Sequence, residues 1–146
     1  MRIVLEQMIA RRNGLMLTMS SGSAISPLGQ LPVYGSTKRF VLHLSHSLQA
    51  QFPEHLSGVR FHAFHPHFIL TNMTEKLIRT TNRLLFPTAR TWVDSAMRTI
   101  RSTSGASAGY IGHECLVWMQ RHAAWIIEQS WSFVSGFDQL QKNKFA

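Results

Sequence analysis

The 146-residue sequence predicts an α/β fold, a partial parallel sheet with flanking helices. Three observations carry this reading. Residues 14–21 (GLMLTMSS) form a short apolar run of the kind a buried strand shows. Residues 59–65 form a second strand that stops at Pro66. Between the two, Phe40, Val41, Leu44 and Leu48 recur at helical spacing within residues 33–51. Strand, helix and strand in that order are the sign of a sheet with crossover helices.

The remaining elements follow in order. Residues 1–10 read as the end of an amphipathic helix, without the charged and apolar regions of a signal peptide. Residues 22–32 are a Gly/Ser/Pro loop. Residues 73–91 mix Thr, Asn, Arg and one Pro and resist a periodic reading. Residues 92–100 form an amphipathic helix. Residues 105–112 form a glycine-rich loop entering a short last strand. Their glycines miss the G-x-G-x-x-G spacing and follow a basic helical stretch, so they lack the context of a dinucleotide-binding turn. Residues 114–134 are a very apolar helix whose charges, Glu114, Arg121 and Glu128, fall on one stripe. Trp118, Trp125 and Trp131 concentrate there. The unbroken apolar runs 115–119 and 123–127 are too short to span a bilayer. Such a helix suits a membrane interface, and equally a sheet face or a partner subunit.

The chemistry centres on Ser21 and Tyr34-Gly-Ser-Thr-Lys38. Side chains four apart on a helix share a face, which puts the Lys38 ammonium beside the Tyr34 phenol. A cation there favours a phenolate, and a phenol so placed can pass a proton to or from a carbonyl oxygen. A serine hydroxyl can hydrogen-bond the same oxygen as charge develops. Tyr-x-x-x-Lys alone recurs by chance, with a surface lysine stacked on a half-buried tyrosine as its ordinary meaning. The strand–loop–helix context around it gives it weight.

Charge and composition narrow the classes. Lys and Arg number 15 against 7 Asp and Glu, a formal net charge of +8. The basic residues are scattered, with no dense run and no nucleic-acid motif, so no nucleic-acid partner is expected. Attraction to an anionic membrane surface or to acyl-CoA phosphates is the more useful reading. Cys115 is the only cysteine, which excludes an intrachain disulfide and fits a reducing compartment. Its apolar surroundings suggest a buried structural thiol. His62, His65 and His67 surround Pro66, but no Cys or carboxylate is close in sequence, so no metal is expected. The C-terminal Lys142-Asn-Lys144-Phe-Ala146 is similar to a dilysine retrieval address, which a receptor reads and which is no anchor.

The order Ser21, Tyr34, Lys38, Pro66, Thr71 resembles the C-terminal half of the short-chain dehydrogenase/reductase family. That family carries a Ser after its fifth strand, then Tyr-x-x-x-Lys, then a Pro-Gly-x-x-x-Thr loop after its sixth. Within it the chain is most similar to the very-long-chain 3-oxoacyl-CoA reductase branch, also called 17-beta-hydroxysteroid dehydrogenase type 12. The stretches that carry this are Arg2-Ile-Val-Leu-x-Gln-Met8, Ser20-Ser-Gly22 and Pro66-His-Phe-Ile-Leu-Thr-Asn-Met73, with Gly109-Tyr110 and His113 also fitting. The resemblance implies a partial doubly wound, Rossmann-like parallel sheet that keeps strands 5–7 of the family fold.

The resemblance also implies roles. Tyr34 becomes the general acid/base, Lys38 supports it and holds the nicotinamide ribose, and Ser21 orients the substrate carbonyl. Pro66, Ile69 and Thr71 line the nicotinamide side. The implied reaction is NADP(H)- or NAD(H)-dependent reduction of a 3-oxoacyl-CoA or steroid ketone, at the cytosolic face of the endoplasmic reticulum membrane. Residues 1–113 are then a C-terminal catalytic half, and residues 114–146 a Trp-rich helix and basic tail. His67 departs from the family, standing where most members have Gly. The phosphate-binding glycine loop and the family's active-site Asn have no counterpart in the sequence. The expectation is therefore a truncated form, little active alone. The alternative is a non-catalytic remnant whose helices 1–12 and 33–51, the family's dimer face, form a homodimer or bind a full-length relative.

Overall fold

The computed structural model describes residues 2–26, 31–74, 82–103 and 105–122. Its elements are α1 (Arg2–Ala10), β1 (Gly14–Met19), a 3-10 turn (Gly22–Ala24), α2 (Pro32–Gln51), α3 (Glu54–Ser57), β2 (Val59–Phe64), α4 (Ala89–Ser102), β3 (Gly105–Ser107) and α5 (Ile111–His122). The expected helix beyond residue 122, the tail with its dilysine pattern, and residues 75–81 of the aperiodic segment lie outside the described residues. No described helix is long and apolar enough to cross a membrane.

The three strands form one parallel sheet in the order β1-β2-β3. β2 is the central strand, paired from Gly14↔Val59 to Met19↔Phe64 on one side and from His62↔Gly105 to Phe64↔Ser107 on the other. Only Arg60 of β2 is partly exposed, and its guanidinium meets Glu54 at 2.8 Å. Strand alternation divides the other β2 side chains between two faces. Val59 and Phe61 pack with Leu5 of α1, against Met8, Ile9, Leu48 and Phe52. Ala63 packs with Leu42 of α2 and with Ala24. On the opposite face Phe64 packs with Trp92, Ala96 and Ile100 of α4. Helices thus cover both faces of β2, as a parallel sheet requires.

β1 is an edge strand among the described residues, and its exposure alternates. Leu15, Leu17 and Met19 are 41%, 44% and 48% exposed. They lie on the face of β2 that α4 covers, but α4 does not reach across to them. This flank is therefore a strip of apolar side chains beside a strand edge with no partner among the described residues.

Both main strands end earlier than the residue pattern suggests. β1 stops at Met19, where Ser20 Oγ donates to Lys38 O and Ser21 turns to cap the 3-10 turn, and β2 stops at Phe64 before Pro66. Helix α4 starts three residues before the expected Trp92. The Thr88 side chain caps it by accepting from Thr91 N at 3.2 Å. Cys115 is exposed, contrary to expectation. The buried residues of α5 are Gly112, His113, Val117 and Gln120, and helical spacing turns Cys115 to the other side with Ile111 and Trp118.

One backbone position fixes the approach of α1 to β2. Gly58 closes α3 in the left-handed region (φ 70), and a Cβ there would lie 2.1 Å from the Arg12 carbonyl oxygen. Gly58→Ala is therefore expected to cost more than about 2 kcal/mol, through strain plus that collision. Urea denaturation measures it, and an unchanged midpoint would contradict the described turn.

Candidate active site

Strand ends and the loops after them build the site. β1 delivers Ser20 and Ser21, and β2 delivers Pro66 and the segment that follows. The two ends are bonded together: Ser20 N donates to Phe64 O at 2.6 Å and Gly22 N to Pro66 O at 2.7 Å. Ser21 caps the 3-10 turn, its Oγ accepting from Ser23 N at 3.2 Å. That bond uses the oxygen and leaves the hydroxyl proton available to an acceptor in the cleft.

Helix α2 brings Tyr34 and Lys38 to the same place. Pro32 opens the helix at a position where a missing N–H costs nothing. Gly35 is buried against the 3-10 turn, where an added Cβ would stand 3.2 Å from Ser23 O. Ser20 Oγ donates to Lys38 O at 2.7 Å, Lys38 Nζ to Met19 O at 3.1 Å, and Arg39 Nη1 to Ala24 O at 3.0 Å. These bonds pin the first turns of α2 to the end of β1. The Lys38 ammonium lies 5.7 Å from the centre of the Tyr34 ring. With one of its three donors on Met19 O, two remain for a ligand. Tyr34 is 45% exposed, so its phenol opens to the cleft and to solvent.

Ser21, Tyr34, Pro66, Ile69 and Thr71 line one largely apolar cleft of about 550 Å³. Lys38 is beside it, through its contacts with Met19 and Tyr34. All six residues singled out in the sequence are thus brought together. Thr74, which sequence reasoning passed over, sets the shape of the far wall. Its Oγ1 donates to Ile69 O and accepts from Thr71 N at 2.9 Å. Leu70 N donates to Pro87 O at 2.9 Å, anchoring the same segment next to α4. Spacing held a faint signal for Thr74, since a Thr three residues after Thr71 can close a turn onto it.

His62, His65 and His113 are buried behind this wall, and His67 is a partly buried part of it. Burial pushes His65 and His113 down to about 4 and His67 down to about 3, with the neighbouring His113 adding to the effect on His67. His62 is lowered by burial as well, and its Nε2 pairs with Ser107 Oγ at 2.8 Å. No described group of His, Cys, Asp and Glu side chains is arranged to hold a metal ion.

The family model described as short chain dehydrogenase matches residues 1–82. Very-long-chain 3-oxoacyl-CoA reductase-A of Danio rerio is 31% identical over 118 residues, covering 81% of this chain and 35% of that protein. The Homo sapiens very-long-chain 3-oxoacyl-CoA reductase is 31% identical over 112 residues, covering 77% and 34%. The Mus musculus 17-beta-hydroxysteroid dehydrogenase type 3 is 32% identical over 116 residues, covering 79% and 35%. The chain thus spans about a third of the length of these relatives. Among solved structures, acetoin dehydrogenase from Enterobacter cloacae superposes with a TM-score of 0.56 at 18% identity, over 73% of this chain and 45% of that one. A short chain dehydrogenase/reductase family oxidoreductase from Burkholderia thailandensis gives 0.52 at 21% identity, over 82% and 53%.

Proposed function

The chain belongs to the short-chain dehydrogenase family, and on that premise we propose that it carries the carbonyl-handling half of an NADP(H)-dependent reductase for 3-oxoacyl-CoA or steroid ketones. The observation that supports this most is the convergence of Ser21, Tyr34 and Thr71 on one apolar cleft, with Lys38 at its edge. An apolar cleft with few polar groups suits a lipid-like ketone.

The residues fit the nicotinamide–ribose end of a dinucleotide. Lys38 has two unused donors for ribose hydroxyls, and Pro66, Ile69 and Thr71 line the same largely apolar cleft. The sequence contains no G-x-G-x-x-G turn, so this chain's residues do not offer a pyrophosphate cradle of that type. The chemistry the bound cofactor supplies is a hydride equivalent for the carbonyl carbon. The Ser21 hydroxyl donates a hydrogen bond to the carbonyl oxygen. Tyr34 Oη transfers its proton to that oxygen as negative charge develops there. The Lys38 ammonium stabilises the phenolate left behind, and solvent reaches the exposed ring to restore the proton. Residues 1–113 act as this catalytic half, and residues 114–146 as a Trp-rich attachment toward the cytosolic face of the endoplasmic reticulum membrane. The test is NADPH consumption by the purified chain with a long-chain 3-oxoacyl-CoA and, separately, with a keto-steroid. Tyr34-dependent consumption supports the reading, and no consumption overturns it for the chain acting alone.

A second reading is supported by the exposed apolar residues of α1 and α2. Ile3, Val33 and Phe40 are 75%, 76% and 66% exposed. In this reading the chain is a non-catalytic module that pairs through these helices with a second copy or a full-length relative. Light scattering after size-exclusion chromatography measures the self-pairing. Phe40→Glu is expected to shift a dimer to monomer, and a wild-type chain that stays monomeric when mixed with a full-length relative contradicts the reading.

A further inference from the structure

We propose that His67 is the positioning residue of the candidate active site, its imidazole wedged between Gly22 and His113 so that segment 66–74 is tied to the strand end carrying Ser21. A Cβ on Gly22 would lie 2.6–2.7 Å from three atoms of the His67 ring. The ring therefore fills the space that a glycine leaves, directly beside Ser21. Across from Gly22 it meets the His113 ring edge to face, with centroids 5.8 Å apart, and His113 meets Tyr110 in the same way at 5.4 Å. The residue before it, Pro66, accepts the 2.7 Å bond from Gly22 N, so backbone and ring hold the same two strand ends. His67 also lines the cleft with Ser21, Tyr34, Ile69 and Thr71. A shift of the ring changes the separation of Ser21 from the Ile69–Thr71 wall. Sequence reasoning marks His67 as a departure from the family's glycine and as one of the histidines around Pro66, and gives it no contact with Gly22.

The clamp holds a neutral ring. From α5 it faces His113 and the Gln120 amide, from its own segment His65, and from α2 the Tyr34 phenol lines the same cleft. The charges acting on it are those of His113 and His65, both cationic when protonated, and no carboxylate is among them. Any opening that returns the ring to water restores an ordinary imidazole, with the usual value near 6.5. Below that pH the opened form binds a proton that the closed form excludes. Opening is therefore favoured about tenfold for each pH unit below it.

The inference rests on the reading of Ser21 as the carbonyl-facing hydroxyl, while the clamp itself does not. Amide hydrogen exchange on the full chain, expressed as protection relative to intrinsic rates, tests it without any turnover. In the wild type, protection of residues 22–25 and 70–74 is expected to fall about tenfold per pH unit below about pH 6, ahead of β2. His67→Phe keeps an aromatic ring without a titrating nitrogen, and is expected to hold protection at neutral pH and to reduce the acid slope of these segments to the one that β2 shows. Gly22→Ala is expected to lower protection of both segments at neutral pH, and Gly22→Ala with His67→Gly to restore it. A slope steeper than that of β2 that persists in His67→Phe assigns the effect to His65 or His113 and overturns the proposal. So does a Gly22→Ala defect that removing the ring does not relieve, an arm that stands even if His67→Phe fails to fold. Loss of the catalytic reading would show in NADPH consumption and leave these exchange results untouched.

Discussion

Replacing Tyr34 by Phe is expected to lower ketone reduction by about two to four orders of magnitude, the usual contribution of a positioned acid. The substitution removes one oxygen from a ring that is already 45% exposed. Packing is barely changed, and the 5.7 Å approach of the Lys38 ammonium to the ring survives. The loss should therefore appear in kcat with little change in the thermal midpoint. Lys38→Met removes the cation and also the 3.1 Å bond to Met19 O that helps hold α2 to β1. It should lower both activity and stability, and so is the less specific probe. Ser21→Ala should act more weakly, by about one to three orders of magnitude, because it removes one donor to the oxyanion while the acid remains. It also removes the cap on Ser23 N. The ranking Tyr34→Phe below Ser21→Ala in kcat is the discriminating result. Turnover that is unchanged in Tyr34→Phe would show that the phenol is not the proton donor and would remove the mechanism proposed for this cleft.

Why the proximity of Tyr34 and Lys38 was visible in the sequence, and the contacts of His67 and Thr74 were not, has a physical answer. Tyr34 and Lys38 owe their proximity to helical spacing, a local property that four residues of sequence specify. The strands were visible for a similar reason: β2 is buried on both faces, so nearly every residue from Val59 to Phe64 had to be compatible with a core. The meeting of Ser21 with Ile69 and Thr71 is long-range. It depends on two neighbouring strands ending at the same level, which no local pattern encodes; family resemblance supplied it. The Gly22–His67 contact and the Thr74 turn depend on side-chain volume and hydroxyl geometry in three dimensions, and resemblance carried neither. Cys115 shows the opposite failure. Apolar neighbours in sequence suggested burial, yet successive positions on a helix face different directions, and this one faces outward. The two-residue overrun of β1 has the same origin. Ser20 and Ser21 continue the strand in composition, but Ser20 donates to Lys38 O and Ser21 caps a turn.

Acid should destabilise the whole domain far more strongly than the local clamp alone. His65 and His113 are 3% and 0% exposed, and both are held near 4 by burial. In the unfolded chain they return to about 6.5. A histidine whose folded value is depressed contributes its full stability above the unfolded value. That contribution declines as pH falls from 6.5 towards 4, because over that interval the unfolded chain binds protons that the folded one excludes. Each pH unit of that interval is worth about 1.4 kcal/mol per ring. Discounted for relaxation and water entry, the two rings together should remove about 4–6 kcal/mol, which is comparable to the entire stability of many small domains. Protonation would put a cation between β2 and α5, with Arg121 and His46 adding repulsion at His65. Urea midpoints followed by circular dichroism should therefore be flat above about pH 7 and fall steeply from about pH 6 to about pH 4.5. His113→Gln keeps a polar side chain but cannot carry the charge. It should weaken the fold at neutral pH, by losing the 3.2 Å contact with Leu85 O in ring geometry, and shallow the acid slope by about one proton. A midpoint that does not change between neutral and mildly acid pH would mean that these imidazoles are solvated in the folded chain, and that the wall behind the cleft is not dry.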